Sequence, residues 1–346
     1  MTRLDYLANE VGATPLALTD WLFGLLDWLL TDAYGAGMDW IAWTFGVRTL
    51  SYPYMQRAYL AVICIGIVGP LVGTFLVHRE MAMIGDTLAH TAFAGVAVGL
   101  FANSVLSLSV HPLATAMVVA VGTALLVELL VEYADAHSDT SLAIVLTGGF
   151  AVGSVLITAT DGGISVGIDA YLFGSLATVS KASVGLLLAM TALVAGLVGA
   201  AYRPLLYATF DETAARAARI DVPFYNRLLV VLTAAVVVSA MQILGVILVA
   251  AMLVVPVAAA ARVARTFKQS LLLAVLAGEF AGVVGVTVSY RYGLAAGGSI
   301  VLTGIALYAV VLAVDAFGAK EWVPGRESAG RNPESAVEES DAAVED

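Results

Sequence analysis

The chain has 346 residues, of which 60% are hydrophobic and 12% charged, with a mean hydropathy of +0.93. Soluble folds average about 45–50% apolar and about 25% charged residues, so most of this surface must face lipid. A net charge of −11 and a pI near 4.7 exclude a nucleic-acid binder, which needs a basic footprint. The single cysteine, Cys64, excludes intrachain disulfides and thiolate metal clusters.

The opening MTRLDYLANEVG places acids where a signal peptide carries bases, so no secretory leader is expected there. Over residues 14–47, Asp20, Asp27, Asp32 and Asp39 interrupt every apolar stretch, and Trp21, Trp28, Trp40 and Trp43 favour the membrane interface. An Asp at the bilayer centre costs roughly 2.5–3.5 kcal/mol, so residues 1–57 read as an interfacial amphipathic extension or a partly ordered arm, not a span. From Ala58 the pattern becomes that of an all-α polytopic membrane protein. Nine apolar runs have the ~20 residues a span needs: 58–77, 84–102, 112–132, 141–160, 181–202, 226–244, 245–262, 269–290 and 297–317. The count expected is eight to nine, with 162–180 a possible re-entrant segment. Basic junctions at Arg79, at Arg203–Arg227 and at Arg262–Lys268 predict a cytoplasmic face there, with Lys181 and Arg291 as the exceptions outside. Residues 318–346 hold eight acids against three bases and no apolar periodicity, which predicts a disordered acidic cytoplasmic tail.

Chemistry concentrates in Gly69–Leu100, GPLVGTFLVHREMAMIGDTLAHTAFAGVAVGL. Asp86 and His90 are four apart and share a helix face, a carboxylate and an imidazole suited to zinc or manganese. The bland alternative makes Asp86 a helix N-cap and His90 a core histidine bonded to it. Two ligands are too few for zinc. A two-fold pairing of chains would bring the same residues together twice. A second element, YRPLLYATFDETAARAARIDVPFYNR, predicts a short helix with Asp211 and Glu212 at its start, Arg216 and Arg219 toward its end, and Pro223 stopping it. Pro256 predicts either a broken span beside a translocation path or a packing kink. Glu128 and Glu279 lie within spans, as candidate relays or as carboxylates paired with polar neighbours. His78 and Arg79 mark a headgroup zone, His111 an external loop, and His137 an internal acidic loop. No G-x-x-x-x-G-K-[ST] phosphate loop and no H-E-x-x-H occur, so ATP binding of the P-loop kind and a zincin protease are excluded.

The GP-L-G-F-V-R-M-GD-LAH pattern resembles the membrane permeases of zinc/manganese/iron ABC importers. AYLFGSLATVS (170–180), LGVILVAAMLVVPVAAAARVAR (244–265) and YRYGLAAGGSIV (290–301) resemble that family's later blocks in the same order, so the likeness covers about residues 58–317. It departs from the pattern at Gly298–Ser299, at Glu279 and in both acidic ends. The resemblance implies an ABC permease fold in the cell membrane and a non-enzymatic transport subunit. It implies Asp86 and His90 in the pathway of a transported divalent metal, zinc or manganese, and a 211–219 helix that docks on a separate ATP-binding subunit. The partners it implies are a second copy of the chain, cytoplasmic ATPases and an extracellular metal-binding protein. An ion-coupled carrier working without an ATPase, with Glu128 or Glu279 as its proton site, is the main alternative, and an intramembrane metalloenzyme the lesser one.

Overall fold

The structure, a computed structural model, describes residues 24, 34–46, 48–133, 138–159, 171–174 and 179–321. The described residues form helices and no strands. Helix α1 spans Tyr34–Phe45 and a 3-10 turn Arg48–Ser51. Then follow α2 (Pro53–His78), α3 (Ile84–Val105), α4 (Pro112–Tyr133), α5 (Ser138–Thr158), α6 (Lys181–Ala200), α7 (Tyr202–Phe210) and α8 (Glu212–Ala217). The chain continues with α9 (Val222–Leu244), α10 (Val246–Val263), α11 (Phe267–Tyr292) and α12 (Ala296–Glu321). Among them, nine helices are long and apolar enough to span: α2 to α6 and α9 to α12. Lipid offers no partner for backbone polar groups, so each apolar run closes its own hydrogen bonds as a helix.

Burial sorts the nine. In their most apolar stretches α9 is 78% buried and α2 72%, whereas α5 is 11%. Helices α2, α3, α9 and α10 therefore form the centre. Helices α4 and α5 lie against α3, α11 and α12 against α10, and α6 against α2 and α9. At twelve residues α1 is too short to span. It is fastened to the start of α2 by Gln56 Nε2, which donates to Asp39 Oδ1 at 3.0 Å, and it leaves Trp40 and Trp43 exposed.

Two central seams run backbone to backbone. Pro70 has no N–H to give the Gly66 carbonyl, and Pro256 none for Met252. In each case a glycine of the neighbouring helix occupies the approach. A Cβ on Gly278 of α11 would stand 2.9 Å from the Gly66 oxygen, and one on Gly69 of α2 would stand 3.4 Å from the Met252 oxygen. Gly73 of α2 lies against the Leu253 carbonyl so closely that no Cβ fits. Small residues at such crossings let helices approach in lipid, where no hydrophobic drive joins them. The expected break at Pro256 does not occur: α10 is continuous through it.

Candidate functional site

Asp86 and His90 lie in the first two turns of α3. The N-cap of this helix is Met83, which makes no side-chain cap bond, so the reading of Asp86 as the N-cap is corrected. Asp86 stands inside the first turn, where a carboxylate meets the positive end of the helix dipole. Its Oδ1 is 3.4 Å from His90 Nε2, with the side chains 46% and 24% exposed respectively. The imidazole stands edge-on to Phe150 of α5, ring centroids 5.4 Å apart at 89°, and Phe150 stacks on Phe93. His90 Nδ1 is buried with no hydrogen-bond partner. The pair is thus reachable from one side and braced by aromatic rings on the other. Among the described residues no three of His, Cys, Asp and Glu gather as a metal site, so one copy offers at most this pair of side chains here.

The segment after α6 builds the second element. Asp211 caps α8 by accepting from Ala214 N at 2.8 Å, and Arg216 pairs with Glu212 at 2.6 Å on its exposed face. The helix is shorter than predicted. It ends at Ala217, and Arg219 lies beyond it at φ +61. There Ile220 N donates to Ala215 O and Arg219 N to Arg216 O, the bond pair of a Schellman turn. Pro223 does not stop α8; it opens α9, capped by Asp221 accepting from Phe224 N.

Arg79, predicted to mark the headgroup zone, instead reaches into this segment. Its Nε donates to Thr209 Oγ1 at 2.9 Å, Nη1 to Asn226 Oδ1, and Nη2 to the Leu205 carbonyl at 3.4 Å. Burial holds its pKa below the usual guanidinium value, and the Glu212 carboxylate offsets only part of that lowering. A cavity of about 300 Å³ opens beside it, bounded by Glu128, Glu212, Arg216 and Asn226. The sequence carried one sign of this role: Arg79 belongs to the same short pattern as Asp86.

The other candidates separate. Glu128, 13% exposed, lies 3.8 Å from Arg227 of α9, so its polar neighbour is a charged one. Glu279 Oε1 is buried without a hydrogen bond, and its carboxyl group crowds Gly66. His78 Nδ1 bonds the Thr74 carbonyl at 2.7 Å between Phe210 and Phe267. His111 Nδ1 accepts from Leu113 N at the start of α4, an exposed loop residue. His137 and most of 162–180 lie outside the described residues. Where that segment is described, Gly174 (φ +76) meets Gly245 (φ +83), and Gly297 abuts the Phe173 and Leu244 carbonyls. Three stretches far apart in sequence therefore meet at the ends of α9, α10 and α12.

The sequence matches the profile described as the ABC 3 transport family over residues 51–315. The manganese transport system membrane protein MntC of Halalkalibacterium halodurans is 34% identical over 265 residues, 76% of this chain and 88% of that one. The manganese import system permease protein ScaB of Streptococcus gordonii is 31% identical over 263 residues, 75% and 90% of the two chains. Among solved structures, PsaBC from Streptococcus pneumoniae in complex with Fab aligns at TM-score 0.68 and 30% identity, over 78% of this chain and 94% of that one. An ABC transporter in an inward-facing conformation aligns at TM-score 0.61 and 19% identity, a likeness of fold alone.

Proposed function

Because the chain belongs to the ABC 3 transport family, we propose that it is the membrane-spanning subunit of an ATP-driven importer of a divalent transition metal, manganese first and zinc second. The observation that carries this reading is the Asp86–His90 pair: a half-exposed carboxylate and an imidazole 3.4 Å apart, one of whose nitrogens is buried and unpartnered. Carboxylate and imidazole together suit manganese and zinc alike, and the names of the relatives favour manganese. Two ligands per chain leave a transported ion under-coordinated, so two copies supply the pair twice across a shared axis. A binding protein outside delivers the metal, and cytoplasmic ATPases dock on α8. Closure of those subunits on ATP turns the pathway inward. The transporting unit, expected over 58–317, begins with α2 at Pro53; the residues before it are an interfacial extension, and those after α12 an acidic cytoplasmic tail.

The test is uptake of manganese and of zinc into proteoliposomes holding the permease with its ATPase and binding protein. ATP-dependent uptake that Asp86→Ala and His90→Ala abolish is expected. Uptake by this chain alone, driven by a proton gradient, would replace the proposal with an ion-coupled carrier.

A further inference from the structure

The stretch from Arg79 to Asp86 has no slack. Glu80 takes φ +60, a left-handed conformation uncommon outside glycine. Around it Glu80 N donates to Val77 O and Met81 N to Leu76 O, a Schellman turn closing α2. Ile84 N then donates to Met81 O and Thr87 N to Met83 O, so α3 begins within the same run of bonded turns. Thr87 Oγ1 reaches both Met83 O and Leu142 O, fixing the first turn of α3 to α5. What moves Arg79 moves the first turn of α3, and Asp86 is in that turn.

At its other end the guanidinium binds two further helices. Two of its three bonds go to α7, at Leu205 and Thr209, and Thr209 precedes the α8 cap Asp211 by two residues. The third goes to Asn226 in the first turns of α9. A cavity of about 300 Å³ lies between Glu212 and Arg216 of α8 and Asn226 of α9, so α8 is not packed tightly against α9 on that side. A hydrogen-bonded turn, a three-bond fork and a cavity beside that fork together have the layout of a lever.

We propose that Arg79 is the positioning residue through which displacement of the α7–α8 segment reaches Asp86 and His90. The inference rests on the reading of α8 as the ATPase-docking helix and of the pair as the metal station. Arg79 need not touch metal or nucleotide. Its planar fork bonds α7 and α9 at once, and a lysine ammonium cannot reproduce that fork although it keeps the charge.

The experiment uses the complete complex in proteoliposomes and reads manganese ions taken up per ATP hydrolysed. Arg79→Lys is expected to keep hydrolysis within about twofold and to lower the uptake-to-hydrolysis ratio on the order of tenfold, at the upper end of what single coupling residues produce. Equilibrium manganese binding without ATP is expected to stay within about twofold, which loss of the site itself would not allow. Should Arg79→Lys fail to assemble, Asn226→Ala, which leaves the arginine and removes one bond, is read by the same ratio and is expected to lower it by less. A ratio equal to wild type in the assembled variant, whether uptake and hydrolysis are both intact or fall in parallel, overturns the relay. Absence of uptake by the wild-type complex overturns the permease reading beneath it.

Discussion

Replacing Asp86 and His90 separates a metal station from a packing contact, because the structure assigns the pair little structural worth. The Nε2–Oδ1 distance is 3.4 Å with side chains 24% and 46% exposed; such an i,i+4 pair is worth about 0.3–0.5 kcal/mol. The edge-on contact of His90 with Phe150 adds about 0.5–1.5 kcal/mol. With about 0.3–1 kcal/mol for the helix dipole at Asp86, Asp86→Ala is expected to destabilise the permease by at most about 1.5 kcal/mol, and His90→Ala by about 1–2 kcal/mol. Uptake is expected to respond on another scale, since loss of residues that merely orient metal ligands already lowers affinity about 10–100-fold. Cys64 supplies the stability assay: it is the only cysteine and is 2% exposed, so a thiol-reactive dye reports unfolding as the protein is heated. The expected result is a small shift in melting with uptake reduced at least about tenfold. Uptake within twofold of wild type, together with a large loss of thermal stability, would make the pair a packing element and refute the reasoning.

Three further outcomes follow from the geometry. Gly245→Ala places a Cβ at φ +83 and ψ 153, about 2.5 Å from Gly174 N; the conformation alone costs roughly 1–3 kcal/mol, and a lower melting temperature in the same dye assay is expected. Gly66→Ala drives a methyl onto the Glu279 carboxyl, so its destabilisation is expected to shrink when combined with Glu279→Ala, and a double-mutant cycle with no coupling would refute that contact. Glu212→Ala removes an exposed ion pair worth about 0.3–0.5 kcal/mol; melting should be unchanged while co-purification of the ATPase weakens.

The spans were legible because lipid enforces a simple rule: an apolar run of sufficient length closes its own hydrogen bonds. The expected runs and the observed helices differ by a few residues at their ends, as with 58–77 against Pro53–His78. The Asp86–His90 pair was equally legible, since i,i+4 spacing is a local property of a helix. What the chain did not disclose was long-range. Arg79 at a span end looks like any headgroup anchor, and its partners Thr209 and Asn226 lie 130 and 147 residues away. Glu128 likewise finds Arg227 only through the packing of α4 on α9. Pro256 suggested a broken helix because local rules count the lost bond. They cannot count Gly69, which brings α2 against the freed carbonyl.

The seams of α2 with α10 and α11 bear on any cycle of motion. Where Gly69, Gly73 and Gly278 meet the carbonyls of Met252, Leu253 and Gly66, backbone lies on backbone, while side chains enter the neighbouring grooves, Val62 at Gly282 and Glu279 at Gly66. Interdigitated side chains hold two helices in discrete registers and must change rotamer before either helix can advance. A backbone-on-backbone contact lacks those teeth, so the register of α2 against its neighbours rests on the few side chains set beside it. At Gly73, where no Cβ fits against the Leu253 carbonyl, one larger residue would wedge α2 away from α10 while leaving each helix's own hydrogen bonds intact.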